Sequence, residues 1–417
     1  MRYATAGCVI TILCSSAVGQ LPGYEATDLG RLPGFTYSTL PRGLNDAGVV
    51  VGHCGGSTGI HRAFVFTQAA GLTALPPPPG ATGSSSTYAV DINNVGVVAG
   101  YSESPAHAWV YDLSSGQFTV IAFPAGFTGE VRAINNLGEV VGWMANAVEL
   151  RPFYWSAATG ITDPTGGLTY VDFNDINDQG LIVGSHEGAA KTWNVRNGAH
   201  TTHATLPAPY DDRTVLESVN NLGTAAGWGR WVAGSGSNTI RHALLVDDAT
   251  GGMTNLGAFT EAQADAARAI NDSGFVVGTS GTTASNSAAQ HAWVLTPGYE
   301  RALVRELVST PGWDSFDGTF ARINARGQVI VSGTRLTGLD ASRRGVLLSP
   351  PLPCGTSDFD GDGDSGTDAD IEAFFACLAG SCCAACHPGG SDFNGDGDSG
   401  TDADIEAFFR VLAGGVC

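Results

Sequence analysis

Residues 91–100 read DINNVGVVAG, and variants of this stretch occur seven times along the chain. The copies share one asparagine, at Asn45, Asn93, Asn135, Asn177, Asn220, Asn271 and Asn324. Successive asparagines are separated by 48, 42, 42, 43, 51 and 53 residues. Periods of this size indicate stacked supersecondary units, and about 40–50 residues suits a four-stranded propeller blade.

Each copy has the pattern of a β-hairpin. In the copy quoted above, Ile92 ends one strand, Asn93 opens the turn, and a Val-rich strand then runs to Gly100. Asparagine favours turns because it tolerates left-handed backbone angles and bonds its own main chain. Gly96, like its six equivalents, occupies the position where a positive φ is required.

Two further elements follow the hairpin. A segment of alternating apolar residues, such as HAWVY at 107–111, begins 14 to 22 residues after each asparagine and is typical of a half-buried strand. Most copies continue with a turn and another strand, as GLTAL does at 71–75. With the hairpin counted as two strands, the sequence predicts an all-β, seven-bladed β-propeller of four-stranded blades.

The seventh unit lacks a fourth strand, because the chain runs from Ser349 into the proline-rich segment 350–353. Proline cannot donate the hydrogen bonds of a strand ladder. A matching strand lies near the start of the chain, where ATDLG at 26–30 is similar to MTNLG at 253–257, a predicted fourth strand. We therefore expect residues 26–30 to complete the last blade and close the ring.

Residues 24–349 as an array resemble the HAF repeat family, named for its His-Ala-Phe signature. The matching residues are His107-Ala108-Trp109 and His291-Ala292-Trp293, each with an Asn-x-x-Gly hairpin upstream. Other copies depart from the signature, with Arg62, Arg151, Lys191 and Arg344 in place of the histidine. The resemblance implies an extracellular repeat protein and brings no established activity.

The first 19 residues have the pattern of an export signal. Arg2 supplies the positive start, an apolar stretch covers 6–13, and Ala17-Val18-Gly19 gives small residues before a predicted cleavage at Gln20. A buried N-terminal helix is the alternative. No later stretch reaches the ~18 apolar residues that a membrane span needs. We therefore expect a secreted protein without a membrane span, in which residues 20–349 form the propeller and 350–353 a linker.

The net charge of −20 is concentrated at the C-terminus, where residues 354–417 contain 13 acidic residues and one arginine. This balance excludes nucleic acid as a partner. A solvated acidic tail is one interpretation of such a segment. The spacing of the carboxylates favours another, a metal site.

The same segment contains six cysteines, which predict a disulfide framework in an exported chain. They are Cys354, Cys377, Cys382, Cys383, Cys386 and Cys417. The sequence does not choose among the 15 possible pairings, and a zinc site is the alternative. Cys54 is left over and is interpreted as a small buried hydrophobic residue.

A tandem aspartate-rich repeat occupies this segment. Residues 357–375 read SDFDGDGDSGTDADIEAFF and recur at 391–409 with one difference, at an offset of 34. Each copy begins with the spacing D-x-[DN]-x-D-G of an EF-hand-type loop. Calcium binds six to eight oxygen atoms, which carboxylates at this spacing supply. The sequence therefore predicts two calcium ions.

The predicted ligands of the two loops are equivalent. Those of the first are Asp358, Asp360, Asp362, the main-chain carbonyl of Asp364, and Asp370; those of the second are Asp392, Asn394, Asp396, Asp398 and Asp404. Position 12, which closes an EF-hand loop, holds alanine in both copies, so Asp370 and Asp404 are taken one residue late, with Asp368 and Asp402 as the alternatives. A helix is predicted after each loop, the first one ending near Gly380.

One loop and one helix, repeated twice, resemble a type I dockerin across residues 354–417. That family is the calcium-dependent docking module of secreted carbohydrate-degrading assemblies, so the resemblance implies a protein partner, cohesin-like or on a cell surface. The late closing carboxylate and the cysteine-rich spacer depart from the family pattern.

Two sets of propeller residues are candidates for binding surfaces. The first position of each second motif is basic, at Arg62, His107, Arg151, Lys191, His242, His291 and Arg344. We interpret these as donors that fix the strand start, with a ring of cations around a binding mouth as the alternative. Trp143, Trp228 and Trp231 lie beside loops and are candidates for an exposed sugar- or protein-binding surface. Trp109, Trp155, Trp193 and Trp293 are predicted core residues.

These features predict a secreted, non-catalytic repeat or binding protein, displayed or docked through its calcium-dependent tail, with an extracellular glycan as the other possible partner. The alternative is an extracellular propeller hydrolase or lyase acting on polysaccharide. An enzyme needs one asymmetric cluster of acid, base or nucleophile, whereas the distinctive residues here recur in every copy. The sequence contains no nucleophile elbow, HExxH motif or phosphate loop.

Overall fold

The computed structural model describes residues 23–203, 210–232, 239–258, 264–281, 291–335, 343–350, 357–383, 386, 390–393 and 399–413, and only the backbone of 210–212, 231–232 and 239–240. The predicted export signal (1–19) and most of the linker lie outside these residues. The chain divides into two compact units, the larger built on segments 28–307 and 312–347 and the smaller on 22–27, 308–311 and 348–417.

The strands form seven four-stranded sheets, which confirms the predicted seven-bladed propeller. Strand β1 is Glu25–Asp28. Blades 1 and 2 contain β2 (Ser38–Leu44), β3 (Val50–Gly55), β4 (His61–Thr67) and β5 (Gly71–Ala74), then β6 (Thr87–Ile92), β7 (Val97–Glu103), β8 (Ala106–Asp112) and β9 (Gln117–Ile121). Blades 3 and 4 contain β10 (Thr128–Ile134), β11 (Val140–Ala145), β12 (Leu150–Ser156) and β13 (Gly160–Thr162), then β14 (Val171–Ile176), β15 (Leu181–His186), β16 (Ala189–Asn194) and β17 (His200–Thr202).

The remaining blades follow the same order. Blade 5 contains β18 (Tyr210–Val219), β19 (Thr224–Val232), β20 (Thr239–Asp247) and β21 (Met253–Gly257). Blade 6 contains β22 (Ala264–Ile270), β23 (Val276–Gly281), β24 (His291–Leu295) and β25 (Arg301–Leu303), and is followed by the short helix α1 (Val304–Leu307). Blade 7 contains β26 (Trp313–Ile323), β27 (Val329–Arg335) and β28 (Arg344–Ser349).

Strand β1 completes blade 7, whose strand order is β1-β28-β27-β26. The predicted closure of the ring by the N-terminal strand is therefore confirmed. The Leu29 N–H donates to the Gly345 carbonyl at 3.0 Å, and the Asp28 carboxylate lies 3.0 Å from the Arg335 guanidinium. Leu29 is buried in a cluster that includes Phe64 of blade 1 and Leu347 of blade 7, so it packs where the first and last blades meet.

The seven repeated asparagines form a closed ring of hydrogen bonds around the propeller. Each side-chain amide donates to the backbone carbonyl of the next asparagine, from Asn45 to Asn93 (3.2 Å) and onward until Asn324 donates to Asn45 (2.9 Å). The amide oxygen of each accepts from its own turn, as Asn177 does from the Leu181 N–H at 2.9 Å. The asparagines have no positive φ, whereas Gly96 and its equivalents do, as predicted. The asparagine is therefore required mainly as a linker between blades.

The hydrophobic cores lie between neighbouring blades. One cluster joins Val51 and Ala63 of blade 1 to Val98 and Trp109 of blade 2. The exposed fractions of Trp109, Trp155, Trp193 and Trp293 are 1%, 7%, 2% and 0%, which confirms them as core residues. Cys54 is also buried, as predicted, and is not disulfide-bonded.

The tail contains two equivalent helices, α2 (Asp368–Leu378) and α3 (Asp402–Leu412). Each begins with a capping box, formed by Thr367 with Asp370 and by Thr401 with Asp404. Phe359 and Phe374 of the first copy share a core with Phe393 and Phe408 of the second. Because each copy supplies half of this core, the two copies stabilise each other.

Two disulfides, Cys377–Cys382 and Cys383–Cys386, join four of the six tail cysteines. This supports the disulfide interpretation for these four residues. Cys354 and Cys417 lie outside the described residues, so a third bridge stays a prediction.

Gly380, at φ 84°, follows the end of α2, where the sequence places the end of the helix.

Candidate metal loop and candidate binding cleft

The first aspartate-rich loop brings three carboxylates together. Side-chain oxygens of Asp358, Asp360 and Asp362 all lie within 4.8 Å of one another. The turns of the loop hold them there, because Asp358 accepts from the Gly361 N–H at 2.9 Å and Asp360 accepts from the Asp362 N–H at 3.1 Å. Gly361 and Gly363 have φ values of 75° and 96°, which suit glycine alone without strain. An all-oxygen donor set of this kind fits a hard cation such as calcium.

The Asp370 carboxylate lies at the junction of the loop and helix α2. One of its oxygens accepts from the Phe359 N–H at 2.6 Å, and the other accepts from the Thr367 N–H at 2.8 Å. Burial opposes its ionisation, but the hydrogen bonds from Thr367, Asp360 and Phe359 together lower the pKa of this carboxyl. Asp370 therefore stays ionised and fixes the loop to the helix, whether or not it also closes the metal site. Asp364 and the alternative ligand Asp368 are exposed.

The second loop is described only at its two ends. Asp392 is buried at its start, and Asp404 repeats the capping contacts of Asp370, with the Thr401 N–H 2.7 Å from its carboxylate. Asn394, Asp396 and Asp398 lie outside the described residues. Gly400 approaches Leu378 of the first copy, as Gly366 approaches Leu412 of the second. Within the described residues, the two copies are therefore equivalent in packing as well as in sequence.

The basic position of the second motif makes different local contacts in different blades. The Arg62 guanidinium donates to the Gly83 carbonyl at 2.9 Å, and Arg344 lies 3.7 Å from the Asp28 carboxylate. Lys191 instead lies 3.4 Å from a His186 ring nitrogen. These contacts favour the interpretation of local donors over that of one cationic ring.

One position on the inner strand of each of six blades carries a side chain that the repeat pattern does not predict as functional. In six blades the register of the first two strands shifts at the residue three positions before the repeated asparagine. Those residues are Arg42, Val90, Arg132, Asn174, Glu217 and Arg268. A β-bulge re-aims its side chain and often lies beside a functional site. Unlike the asparagine, this position differs from copy to copy, so it can carry an asymmetric site.

Three of these bulge residues, Arg132, Asn174 and Glu217, take part in a cleft of about 700 Å³ on blades 3, 4 and 5. Its other lining residues are Tyr170, Asp172, Ser185, Glu187, Gly188, Arg213, Val215, Trp228, Arg230 and Arg241. Two of them, Tyr170 and Glu187, have positive φ values of 56° and 50°. Such backbone strain in non-glycine residues clusters at functional sites.

A charged network forms one wall of this cleft. Glu217 accepts from the Trp228 ring nitrogen at 2.8 Å and from the Arg268 guanidinium at 2.9 Å. The Arg241 guanidinium stacks 4.0 Å from the centre of the Trp228 ring. Trp228 is consequently only 7% exposed. The prediction that Trp228 is exposed is therefore wrong, because Arg241 covers the face of its ring. Of the other two candidates, Trp143 is half-buried, and the side chain of Trp231 lies outside what the structure describes.

Charged residues also line the central channel beside the asparagine ring, a cavity of about 190 Å³ that contains Asp91, Asp175 and Arg322. Asp91 accepts from the Ile134 N–H of the next blade at 3.0 Å, and Asp175 accepts from the Val219 N–H at 2.9 Å. Desolvation raises the pKa of Asp91 to about 7. Both carboxyls thus act as further links between blades.

A cluster that does not recur in the described parts of the other blades lies on blades 1 and 2. The Tyr88 hydroxyl donates to the Glu103 carboxylate at 2.9 Å and lies 3.0 Å from a His61 ring nitrogen. His53 packs edge-on against Tyr88, and burial lowers its pKa to about 3, so its imidazole is neutral. Desolvation, followed by the hydrogen bond to Glu103, raises the pKa of Tyr88. The phenol is therefore held protonated.

Comparisons with known proteins support the fold alone. No family model matches the chain, and no curated protein matches it. Oligogalacturonate lyase in complex with manganese is similar in structure, with a TM-score of 0.52 and 13% identity over 79% of this chain and 94% of that one. Virginiamycin B lyase from Staphylococcus aureus has a TM-score of 0.49 and 13% identity over 78% of this chain and 99% of that one. The seven four-stranded sheets define the chain as a seven-bladed propeller protein. None of its described helices is long and apolar enough to cross a bilayer.

Proposed function

We propose that this is a secreted, non-catalytic binding protein, which presents its propeller to a ligand and docks through a calcium-loaded tail. The grouping of the Asp358, Asp360 and Asp362 oxygens within 4.8 Å carries the proposal for the tail. The asparagine ring supports a scaffold role for the residues that recur in every blade. Secretion rests on the N-terminal signal pattern and agrees with the two tail disulfides.

The proposed calcium ligands are those of the sequence pattern, Asp358 to Asp364 with Asp370 in the first loop and Asp392 to Asp398 with Asp404 in the second. The oxygen donors and the glycine turns of the first loop fit a calcium ion. When bound, calcium would neutralise carboxylates that otherwise repel one another. Desolvation is the main cause that raises the pKa of Asp360; a backbone hydrogen bond from Asp362 opposes it, and the charge of the Asp362 carboxylate adds to it.

Removal of one loop carboxylate should halve the calcium content. We expect calorimetric titration of the full secreted chain to give two sites, and Asp358→Ala to retain one, because its carboxylate is part of the first cluster only. Glu372→Ala is the matched control, since it removes the same charge from the exposed face of helix α2. The calcium assignment would be overturned if the wild-type chain bound no calcium, or if the two variants behaved alike.

The tail offers an apolar surface for a protein partner. Phe375 and Phe409 are equivalent residues of the two copies, each is 45% exposed, and their ring centres lie 6.2 Å apart. Contiguous exposed apolar surface is a feature of protein interaction sites. We propose this pair as the contact with a cohesin-like or cell-surface partner.

A second candidate function, a hydrolase or lyase acting on polysaccharide, is favoured by the His61, Tyr88 and Glu103 chain, because this cluster does not recur in other described blades. Such an enzyme would release reducing ends from polysaccharide, and Tyr88→Phe would lower that rate by about 10²-fold or more, the size of a typical general acid–base effect. Tyr37→Phe is the control, since Tyr37 is 74% exposed. A reducing-end assay that detects no product across a polysaccharide panel would exclude this candidate.

A further inference from the structure

The charges that line the cleft on blades 3 to 5 compensate one another. Four arginines lie among three carboxylates, those of Asp172, Glu187 and Glu217. Glu217 already accepts from a guanidinium of blade 6 at 2.9 Å, and Arg213 and Arg230 each have an interaction partner. A charged ligand would have to compete with these internal pairs. A neutral ligand would not, so the electrostatics of the cleft favour a neutral one.

Hydrogen-bonding groups of both kinds remain accessible in this cleft. Asp172, Glu187 and Arg213 are exposed, and the Ser185 hydroxyl lies 3.5 Å from the Asp172 carboxylate, at the limit of a hydrogen bond. A carboxylate has several acceptor sites and a guanidinium several donors, so a side chain with one partner keeps capacity for another. A hydroxyl group donates as well as accepts. A ligand with many hydroxyl groups therefore matches this mixed lining.

Tyr170 provides an aromatic surface at the cleft. It is 67% exposed, yet its backbone is fixed, because its N–H donates to the Leu150 carbonyl of blade 3 at 3.0 Å. Its positive φ of 56° is uncommon for so bulky a residue. Trp228 offers no such surface, since Arg241 stacks on the face of its ring. The apolar body of an exposed tyrosine ring can pack against the C–H face of a sugar.

The residue seven positions before the repeated asparagine distinguishes blades 4 and 5 from the others. These two blades have Tyr170 and Arg213 at this position, and both residues line the cleft. The other blades have Ser38, Ser86, Thr128, Ala264 and Asp317. The two long side chains at this position are therefore those of the cleft, which is expected of a ligand site and not of a repeated scaffold.

The size and polarity of the cleft favour a saccharide over a peptide. Val215 is the only aliphatic residue among its described lining, whereas a peptide is usually anchored by large apolar or aromatic side chains that fill desolvated pockets. The volume of about 700 Å³ lies in the range of sites that enclose a drug-sized ligand. A ligand of several linked sugar rings suits both features.

We infer that this cleft binds a neutral oligosaccharide. The inference rests on the proposed binding function of the propeller and names the class of its ligand. Asp172 and Glu187 accept hydrogen bonds from sugar hydroxyls, Arg213 donates to sugar oxygens, and Tyr170 packs against one sugar ring. The asparagine ring takes no part, so the scaffold and the ligand site use different positions of the same repeat.

The test titrates the full chain with tetrasaccharides that differ in charge. The neutral probes are mannotetraose, cellotetraose, xylotetraose and galactotetraose; tetramannuronate is the anionic match of the first, and the glucosamine tetramer is the cationic match of the second. We expect at least one neutral probe to bind with a dissociation constant of about 1 mM or lower in calorimetry, and the charged matches to bind at least about tenfold more weakly. Because no net charge enters the cleft, an increase of about tenfold in salt concentration should change the affinity less than twofold.

Two variants locate the binding in the cleft. Tyr170→Ala removes the aromatic surface and Asp172→Ala removes an acceptor, so each should weaken the neutral probe about tenfold. The matched controls are Tyr37→Ala, at a residue that is 74% exposed, and Asp314→Ala, which like Asp172 is the exposed second residue of a first strand. Both controls should change the affinity less than twofold. Unchanged thermal unfolding shows that each variant is folded, and Tyr170→Gly, which suits the positive φ, replaces Tyr170→Ala if that variant does not fold.

The inference is overturned if no neutral tetrasaccharide binds, if a charged match binds as tightly as its neutral counterpart, or if the cleft variants behave like their controls. Equal binding of the neutral peptide N-acetyl-tetraserine amide would overturn it as well. Chromatography of the sugar after titration tests the proposed function separately. Cleavage of a bound neutral sugar would contradict the non-catalytic function and leave the ligand class in place, whereas an intact sugar agrees with both.

Discussion

A chain that lacks residues 20–30 should lose about 4–6 kcal/mol of its free energy of unfolding. The deletion removes strand β1, which completes blade 7, and exposes the edge of β28. It also removes Leu29, which is 3% exposed, and the Asp28 carboxylate between Arg335 and Arg344. Burial of one leucine contributes about 1.5–3 kcal/mol, each lost backbone hydrogen bond of the strand about 0.5–1.5 kcal/mol, and the exposed Asp28 ion pair about 0–1 kcal/mol.

Denaturant unfolding followed by tryptophan fluorescence measures this loss. Deletion of residues 20–22 alone is the control and should leave the midpoint unchanged. If the longer deletion prevents folding, Leu29→Ala is the milder variant, with an expected cost of about 2–5 kcal/mol. A synthetic peptide of residues 23–34 should restore part of the stability of the deleted chain. A cost below about 1 kcal/mol for the full deletion would show that the ring does not depend on this strand.

The fold could be predicted because its signals repeat. The asparagines from Asn45 to Asn324 mark seven hairpins, and the glycine three residues after each one has the positive φ that the turn requires. The motif at 26–30 matches a fourth strand and precedes the first hairpin, so it can be assigned to the last blade. The same holds for the tail, where the apolar spacing after each loop predicts α2 and α3. A pattern that recurs in every copy reflects one structural requirement, whereas a chance resemblance would not recur at a regular spacing.

The cleft could not be predicted for the opposite reason. Arg132, Asn174 and Glu217 occupy one structural position in three blades, but they share no chemistry, and in the sequence they look like variation between repeats. Only the bulge in each inner strand shows that the side chains point to one place. Trp228 was misjudged as exposed because the sequence cannot show that Arg241 lies over its ring. The one signal in the sequence is a variable and mostly polar position three residues before each repeated asparagine.

The hydrogen bonds between the repeated asparagines cannot be predicted from one copy of the motif. The local turn accounts for the hydrogen bonds of the side-chain oxygen, which accepts from the N–H groups of that turn. The amide nitrogen instead donates to the neighbouring blade, 42 to 53 residues away in most copies. Aspartate or serine would serve the turn equally well. The amide has its acceptor and its donor on two different atoms, Oδ1 for the turn and Nδ2 for the ring, whereas a carboxylate lacks the donor and a hydroxyl has a single oxygen for both contacts. This difference explains why all seven copies have asparagine.

Replacement of one ring asparagine should therefore destabilise the propeller strongly. Asn177→Ala leaves the buried Leu181 N–H without its side-chain acceptor and removes one of two donors to the Asn220 carbonyl, which keeps the Gly223 N–H at 3.2 Å. An unpaired buried N–H costs about 1–3 kcal/mol and a lost hydrogen bond about 0.5–1.5 kcal/mol, so we expect a loss of about 2–4 kcal/mol in denaturant unfolding. Gln179→Ala is the matched control, because it removes a side-chain amide from an exposed position of the same turn; its expected cost is below about 1 kcal/mol.

Asn177→Asp separates the two functions of the side chain. The carboxylate still accepts from the Leu181 N–H but places a negative charge against the Asn220 carbonyl, where the amide donated at 3.0 Å. Burial and this carbonyl should raise the pKa of the new carboxyl above its unfolded value. A carboxyl with a raised pKa is stable when protonated and loses stability as pH rises through that pKa, so the deficit of Asn177→Asp should shrink on acidification whereas that of Asn177→Ala should not. Equal deficits for the two variants at all pH values would show that the ring hydrogen bond contributes nothing beyond the turn.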